Sequence, residues 1–189
     1  MKTPPQSPQV TLRALAIKLL AQREHSRAEL ARKLAAKAGR MGVGATPAGH
    51  TATTQPPTPP TAEDIDKVLD QLERQGLLSD TRAAQAYVRG HAARFGASRL
   101  AHSLRMRGID AELIDASLAQ EEIEDERTRA AAVWRSKFNS VPRDAREWAR
   151  QARFLQGRGF AVDVIRRLLR ELGKSSDLPQ DAQDMETEE

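Results

Sequence analysis

The chain has 189 residues, 30% of them charged, with 30 Lys and Arg against 26 Asp and Glu and no cysteine. That length suits one ordinary domain or a short array of small units, and the missing thiols exclude a disulfide framework or a thiolate metal site and fit a reducing, cytoplasmic setting. Residues Asp177 to Glu189 carry six acids and no base, so the rest of the chain stands at +10 (4 + 6) and points to an anionic partner.

Residues 1–11 are polar and proline-rich, and read as a disordered N-terminal segment with no resemblance to a signal peptide. Nowhere does an apolar run approach the roughly 18 residues that a bilayer span requires, which predicts no membrane association. Leu12, Leu15, Ala16, Leu19 and Leu20 follow helical spacing. Ser26 and Glu29 read as a capping box, hydroxyl and carboxylate each satisfying a free backbone N–H, that opens a helix carrying Leu30 and Leu34. Between Gly39 and Pro60, 14 of 22 positions are Gly, Pro or Thr, which predicts a flexible insert at 39–60.

Thr61 starts the next helix, with Ile65, Val68, Leu69 and Leu72 as its apolar stripe and Gly76 as its end. Asp80 is expected to cap a further helix that buries Ala84, Tyr87, Val88, Ala92 and Phe95; Leu100, Ala101 and Leu104 mark a shorter one after Gly96. An acidic helix follows, then Arg127–Asn139, Asp144–Gln156 with Asp144 and Glu147 as its caps, and Val162–Leu172. These nine helices fall into three groups of three: residues 12–80, 81–124 and 125–173, with 174–189 as an acidic disordered tail that could shield the basic face. No strand alternation occurs.

The groups repeat. Leu104, Gly108-Ile109, Leu113-Ile114 and Leu118 recur as Leu155, Gly159-Phe160, Val164-Ile165 and Leu169, shifted by 51 (159 − 108). A weaker earlier copy pairs Leu34 with Leu104 and Ile65 with Ile114. A period near 50 marks an all-α architecture of tandem three-helix modules, in which each unit stacks on a neighbour to close its core. Such arrays bind extended partners.

Catalytic signals are weak. His25, His50, His91 and His102 form no ligand pair, and His91 reads as a core histidine beside Tyr87. The acidic run Glu121 to Glu126 reads as a solvated connection, and no phosphate loop follows a strand. No enzyme, cofactor or metal is expected. Trp134 and Trp148 read as core residues rather than stacking platforms.

Charge is sorted instead. From Thr81 to Ile109 there are six arginines and no acid: Arg82, Arg89, Arg94, Arg99, Arg105 and Arg107. Arg127 to Arg170 holds twelve bases, of which Arg135, Lys137, Arg150, Arg153 and Arg158 complete the candidate binding set. Arginine outnumbers lysine, which favours forked contacts with phosphate or carboxylate.

These motifs together resemble the RecX family of recombination regulators. The resemblance rests on Ser26-x-x-Glu29-Leu30-x-x-Lys33-Leu34, Gly76-Leu77-Leu78-Ser79-Asp80, Tyr87-Val88-Arg89, Leu104-x-x-Arg107-Gly108-Ile109 and Phe154-Leu155-x-x-Arg158-Gly159-Phe160, and spans residues 12 to 172. It implies three helical modules in an elongated, curved body without catalysis. It also implies binding to the RecA recombinase filament on single-stranded DNA and suppression of strand exchange, ATP hydrolysis and co-protease action; a monomer is expected, though the sequence itself does not decide between monomer and dimer. Direct contact with single-stranded DNA, weak and salt-sensitive, and with duplex DNA, is a further implication. The chain departs from the family pattern in its insert, in Ala83 where Phe is frequent, and in Ser79 where Asn or Asp is usual. A plain DNA-binding protein built on short helix pairs is the alternative.

Overall fold

The computed structural model describes residues 8–43, 60–120 and 124–176, and among these it contains nine helices and no strand. They are α1 (Pro8–Leu20), α2 (Arg27–Val43), α3 (Ala62–Arg74), α4 (Asp80–His91), α5 (Ala97–Met106), α6 (Ala111–Leu118), α7 (Glu126–Arg135), α8 (Ala145–Gly157) and α9 (Val162–Ser176). The all-α helical repeat is as expected. None of these helices is long and apolar enough to cross a membrane.

Several boundaries differ from those expected, for local reasons. α1 begins at Pro8 rather than Leu12, because proline's fixed φ suits a first helical position. α2 runs through Gly39 to Val43. A glycine costs a helix only about 1 kcal/mol, and the first proline after α2 is Pro47. The remainder of the 39–60 insert, the Glu121–Ile123 stretch and the 177–189 tail lie outside the described residues.

The chain divides into two compact units, the first comprising residues up to Tyr87 with Leu104–Ser117, the second Val88–Ser103 with residues from Leu118 onward. The chain passes between them within α4 and within α5. In the first unit α1, α2 and α3 pack pairwise around Leu12, Ala16, Leu30, Leu34, Ile65, Val68, Leu69, Leu72 and Leu78. Each fully buried leucine contributes about 2 kcal/mol. Thr61 and Asp64 close a reciprocal capping box at the start of α3, with Asp64 N–H donating to Thr61 Oγ1 at 3.2 Å and Thr61 N–H to Asp64 Oδ2 at 3.0 Å.

In the second unit α7, α8 and α9 pack pairwise around Ala130, Ala131, Val133, Trp134, Leu155, Phe160, Ile165, Leu168 and Leu169. Trp134 is buried as expected, its Nε1 donating to Gln151 Oε1 at 2.7 Å, and Gln151 in turn donates to Ser140 O at 3.2 Å. Trp148 is not a core residue: it is 37% exposed, one turn before Gln151 on α8. Phe138 meets Phe154 edge-on at 5.3 Å, over the turn that ends α7 at Arg135 rather than Asn139.

Among the described residues, three glycines carry positive φ: Gly76 (68°), Gly108 (77°) and Gly159 (84°). Each ends a helix in the same double hydrogen bond. Gly108 N–H reaches Arg105 O and Ile109 N–H reaches Leu104 O; Gly159 and Phe160 bond Gln156 and Leu155 alike; Gly76 and Leu77 bond Glu73 and Leu72. The sequence repeat is thus a repeated helix stop, with the apolar Ile109 and Phe160 buried after the second and third glycines.

Two of these stops make joints. In the first unit the end of α5 seats on the start of α2: Ser26 Oγ donates to Arg107 O at 2.5 Å, Arg32 Nη2 donates to Met106 O at 3.0 Å, and a Cβ on Gly108 would lie 2.5 Å from Ala28 Cβ. In the second unit the end of α8 seats on the start of α5. Gly96 N–H donates to Arg158 O at 3.0 Å, Ser98 N–H to Gly159 O at 3.2 Å, and a Cβ on Gly159 would lie 2.6 Å from Arg99 N. Carbonyls left over at one helix end meet donors near the start of another, side-chain donors in the first joint and free backbone amides in the second.

Candidate functional site

The basic residues sort into three sets by what holds them. Arg82 and Arg107 are not free: Arg82 Nε donates to Glu24 at 2.9 Å, and Arg107 Nη1 donates to Glu29 at 2.8 Å while its Cζ lies 4.4 Å above the Tyr87 ring. The acid-free span 81–109 is therefore not left uncompensated, because carboxylates from the α1–α2 region reach it. Sequence proximity counted the wrong neighbours. Arg107 is a joint residue rather than an open contact.

Glu29 is the centre of that arrangement. Besides Arg107 it accepts from Arg23, and Lys33 Nζ lies 3.5 Å away. Burial alone would raise the Glu29 carboxyl, but the Arg23 hydrogen bond and the charges of Arg107 and Arg23 outweigh it and hold the group below the usual carboxylate range. The expected capping box is consequently only half made. Ser26 Oγ accepts from Glu29 N–H at 3.1 Å, but the carboxylate turns to the cations; separately, Arg27 N–H donates to Asp80 Oδ1 at 2.7 Å. Asp80 is the first residue of α4, whose cap is Ser79, accepting from Arg82 N–H at 3.3 Å.

His25, also unassigned from sequence, is almost fully buried. Its Nδ1 lies 2.9 Å from Arg23 O and its Nε2 2.7 Å from Lys33 Nζ, which fits a neutral ring donating from Nδ1 and accepting at Nε2. Burial, helped by the Arg23 and Lys33 charges, pushes its pKa down. His91, expected in the core, is only half-buried, its ring stacked 6.4 Å from Phe95.

A second set is structural without carboxylates. Arg129 is buried; its Nη1 donates to Ala92 O at 2.9 Å and Phe95 O at 2.8 Å, and its Nε to Glu124 O at 2.9 Å. Desolvation lowers its pKa. It lies on the stripe Arg129, Ala130, Val133, Trp134 of α7, a signal that counting it among the bases concealed.

The third set faces solvent. Arg89, Arg94, Arg105, Arg135, Lys137 and Arg153 are exposed and have no carboxylate partner among the described residues. Arg150 is exposed and 4.0 Å from Glu147, a pair worth little in water. Arg99 and Arg158 stand apart, because both guanidinium groups lie over Phe95, at 4.7 and 5.7 Å, and Arg158 also lies 5.2 Å from the Phe154 ring. Arg99 Nη1 donates to Gly157 O at 2.8 Å; neither arginine meets a carboxylate among the described residues. Of the eleven cations expected to bind, Arg82 and Arg107 are tied to acids and nine remain, the eight others counted here in the second unit together with Arg105 in the first.

Comparison with known proteins identifies the family. Residues 79–118 match the family model for the second three-helix domain of RecX, and residues 124–169 the model for its third three-helix domain. The protein called Regulatory protein RecX from Leptothrix cholodnii is 43% identical over 164 residues, covering 86% of this chain and 90% of its own. Its namesake from Herbaspirillum seropedicae is 39% identical over 159 residues, covering 84% and 89%. The crystal structure of RecX from Lactobacillus salivarius shares the fold with a TM-score of 0.64 at 17% identity, covering 88% of this chain and 97% of that one. With both later modules matched in register and relatives aligned over nearly their whole length, the chain belongs to the RecX family of regulatory proteins.

Proposed function

We propose that this chain regulates a RecA-type recombinase without chemistry of its own: it binds the recombinase filament assembled on single-stranded DNA and lowers strand exchange, ATP hydrolysis and co-protease activity. It acts in the cytoplasm as a monomer, and its own contact with DNA is weak and salt-sensitive. The observation that carries this reading is the exposed set Arg89, Arg94, Arg105, Arg135, Lys137 and Arg153, cations that no internal acid neutralises among the described residues. Membership of a family of regulatory proteins supports it. An anionic lattice of protein and nucleic acid offers such cations many simultaneous contacts, each modest and each screened by salt.

The test is recombinase ATP hydrolysis on single-stranded DNA. Wild-type protein should inhibit it, less so as salt rises, and the triple variant Arg89→Glu, Arg94→Glu, Arg105→Glu should not, with its circular dichroism unchanged. Inhibition by the triple variant equal to wild type would remove the assignment. Tight, sequence-selective duplex binding without recombinase would instead favour a DNA reader.

A further inference from the structure

The two joints described above are copies of one another, and the comparison exposes a missing partner. Aligning α2 with α5 on their buried leucines, Leu30 with Leu100 and Leu34 with Leu104, gives an offset of 70 (100 − 30) and sets Glu29 opposite Arg99. The offset of 51 sets Arg107 opposite Arg158, each immediately before the positive-φ glycine of its joint. In the first joint Arg107 lies over the Tyr87 ring and is met by the Glu29 carboxylate at 2.8 Å. In the second, Arg158 lies over the Phe95 ring, and the position that supplied the carboxylate is a second arginine over the same ring. Two guanidinium groups therefore converge on one aromatic side chain where the sister joint holds a cation and an anion.

We propose that Arg99, Arg158 and Phe95 form a receptor for an acidic side chain, Asp or Glu, of a protein partner, the incoming carboxylate taking the place that Glu29 fills in the first joint. Three features favour it. Two cations over one ring would both gain from a shared anion, and a guanidinium fork matches a carboxylate in two parallel hydrogen bonds. Arg99 is already oriented by its bond to Gly157 O and by the packing of its backbone against Gly159, so little freedom is lost on binding. The ring is flanked by two guanidiniums and by the His91 imidazole, which makes it a poorer platform for a nucleobase than an open aromatic face. The chemistry selected is a carboxylate rather than a nucleotide. This rests on the recombinase reading only for the identity of the partner.

The decisive variant is Arg99→Glu, which rebuilds the first joint's chemistry inside the second. It should fold at least as stably as wild type, because the introduced carboxylate would meet Arg158, and it should be unable to take an external acid. Two measurements separate the possibilities. Hexaglutamate peptide titrated into isotopically labelled protein should shift the arginine Nε–Hε resonances of Arg99 and Arg158, and the Arg158 shift should vanish in Arg99→Glu. No shift, or a larger response to an oligothymidylate of equal charge, overturns the proposal. Binding to recombinase filaments should weaken at least about tenfold in Arg99→Glu and in Arg158→Gln, with the melting midpoint of Arg99→Glu unchanged or raised. Undiminished filament binding by both variants also overturns it. Should wild-type protein take the peptide yet ignore the filament, the receptor stands and the recombinase reading falls.

Discussion

In the first unit the α5 terminus is fastened to α2 by side chains: a serine hydroxyl, an arginine fork and a glutamate that gathers three cations. In the second unit the equivalent α8 terminus is fastened to α5 by two backbone amides and an arginine, with no carboxylate. The same geometry is thus reached by two chemistries. Fastening by side chains exposes a joint to protonation and salt, whereas in the backbone-fastened joint an added β-carbon meets main-chain atoms as well as a side chain.

The largest effect separating the two should come from glycine. Gly159→Ala places a methyl against Arg99 backbone and strains a φ of 84°. Together these should cost about 3 kcal/mol in urea unfolding. Gly108→Ala strains a similar φ but meets only the Ala28 methyl closely, and should cost about 2 kcal/mol. Gly76→Ala has open space around its β-carbon, and its backbone strain alone should cost about 1 kcal/mol. Equal losses at all three positions would show that neither joint is close-packed.

Next comes Arg129→Met, which removes the donors to Ala92, Phe95 and Glu124 carbonyls from the second unit while keeping similar volume. Buried acceptors left without donors should cost about 2–3 kcal/mol, read as faster amide exchange in the second unit with α1–α3 unaffected. Exchange rising equally in α1–α3 would undo the division into two units.

Acid should weaken the first unit. The His25 pKa is depressed by burial below its ordinary 6.5, so the folded state binds fewer protons than the unfolded one. Its contribution is complete above pH 6.5 and is lost as pH falls from there toward the depressed value. Glu29, held below its ordinary 4.5, adds a loss of the same sign at lower pH. Both therefore make unfolding easier on acidification. The melting midpoint followed from pH 8 to pH 4 should fall, and His25→Gln should flatten the portion near neutrality; a profile unaltered by that variant would discount the histidine.

The smallest effect is ionic strength. The exposed pairs of Arg27 with Asp70 and Glu73 of α3 are each worth less than about 1 kcal/mol. Raising salt should lower first-unit stability by a few tenths of a kcal/mol, measurable as a modest change in urea midpoint. A larger loss in the second unit would reverse the contrast.

The helices and their repeat could be read because apolar spacing is a local signal, and Leu104, Gly108 and Ile109 recur as Leu155, Gly159 and Phe160 with the same turn. Charge was harder to place. Glu29 fits a capping box in isolation, yet three cations, one of them 78 residues away, draw its carboxylate off. Asp80 looked like a cap and instead accepts from Arg27, 53 residues earlier. Arg129 looked like a surface base and is the donor for a turn beyond α4. Trp148 looked like core, but its α8 position faces outward while Gln151 faces in. Periodicity shows which face of a helix is apolar; it does not show which distant group a polar side chain will meet.

The joint of the second unit asks for two glycines and one arginine, Arg99, for its other amides and carbonyls are common to every peptide. A duplicated copy of such a triplet would find its mooring already made by the parent's main chain. Growth of the array by gene duplication then needs no matching set of new residues, and side chains such as Glu29 and Arg107 are free to diverge afterwards.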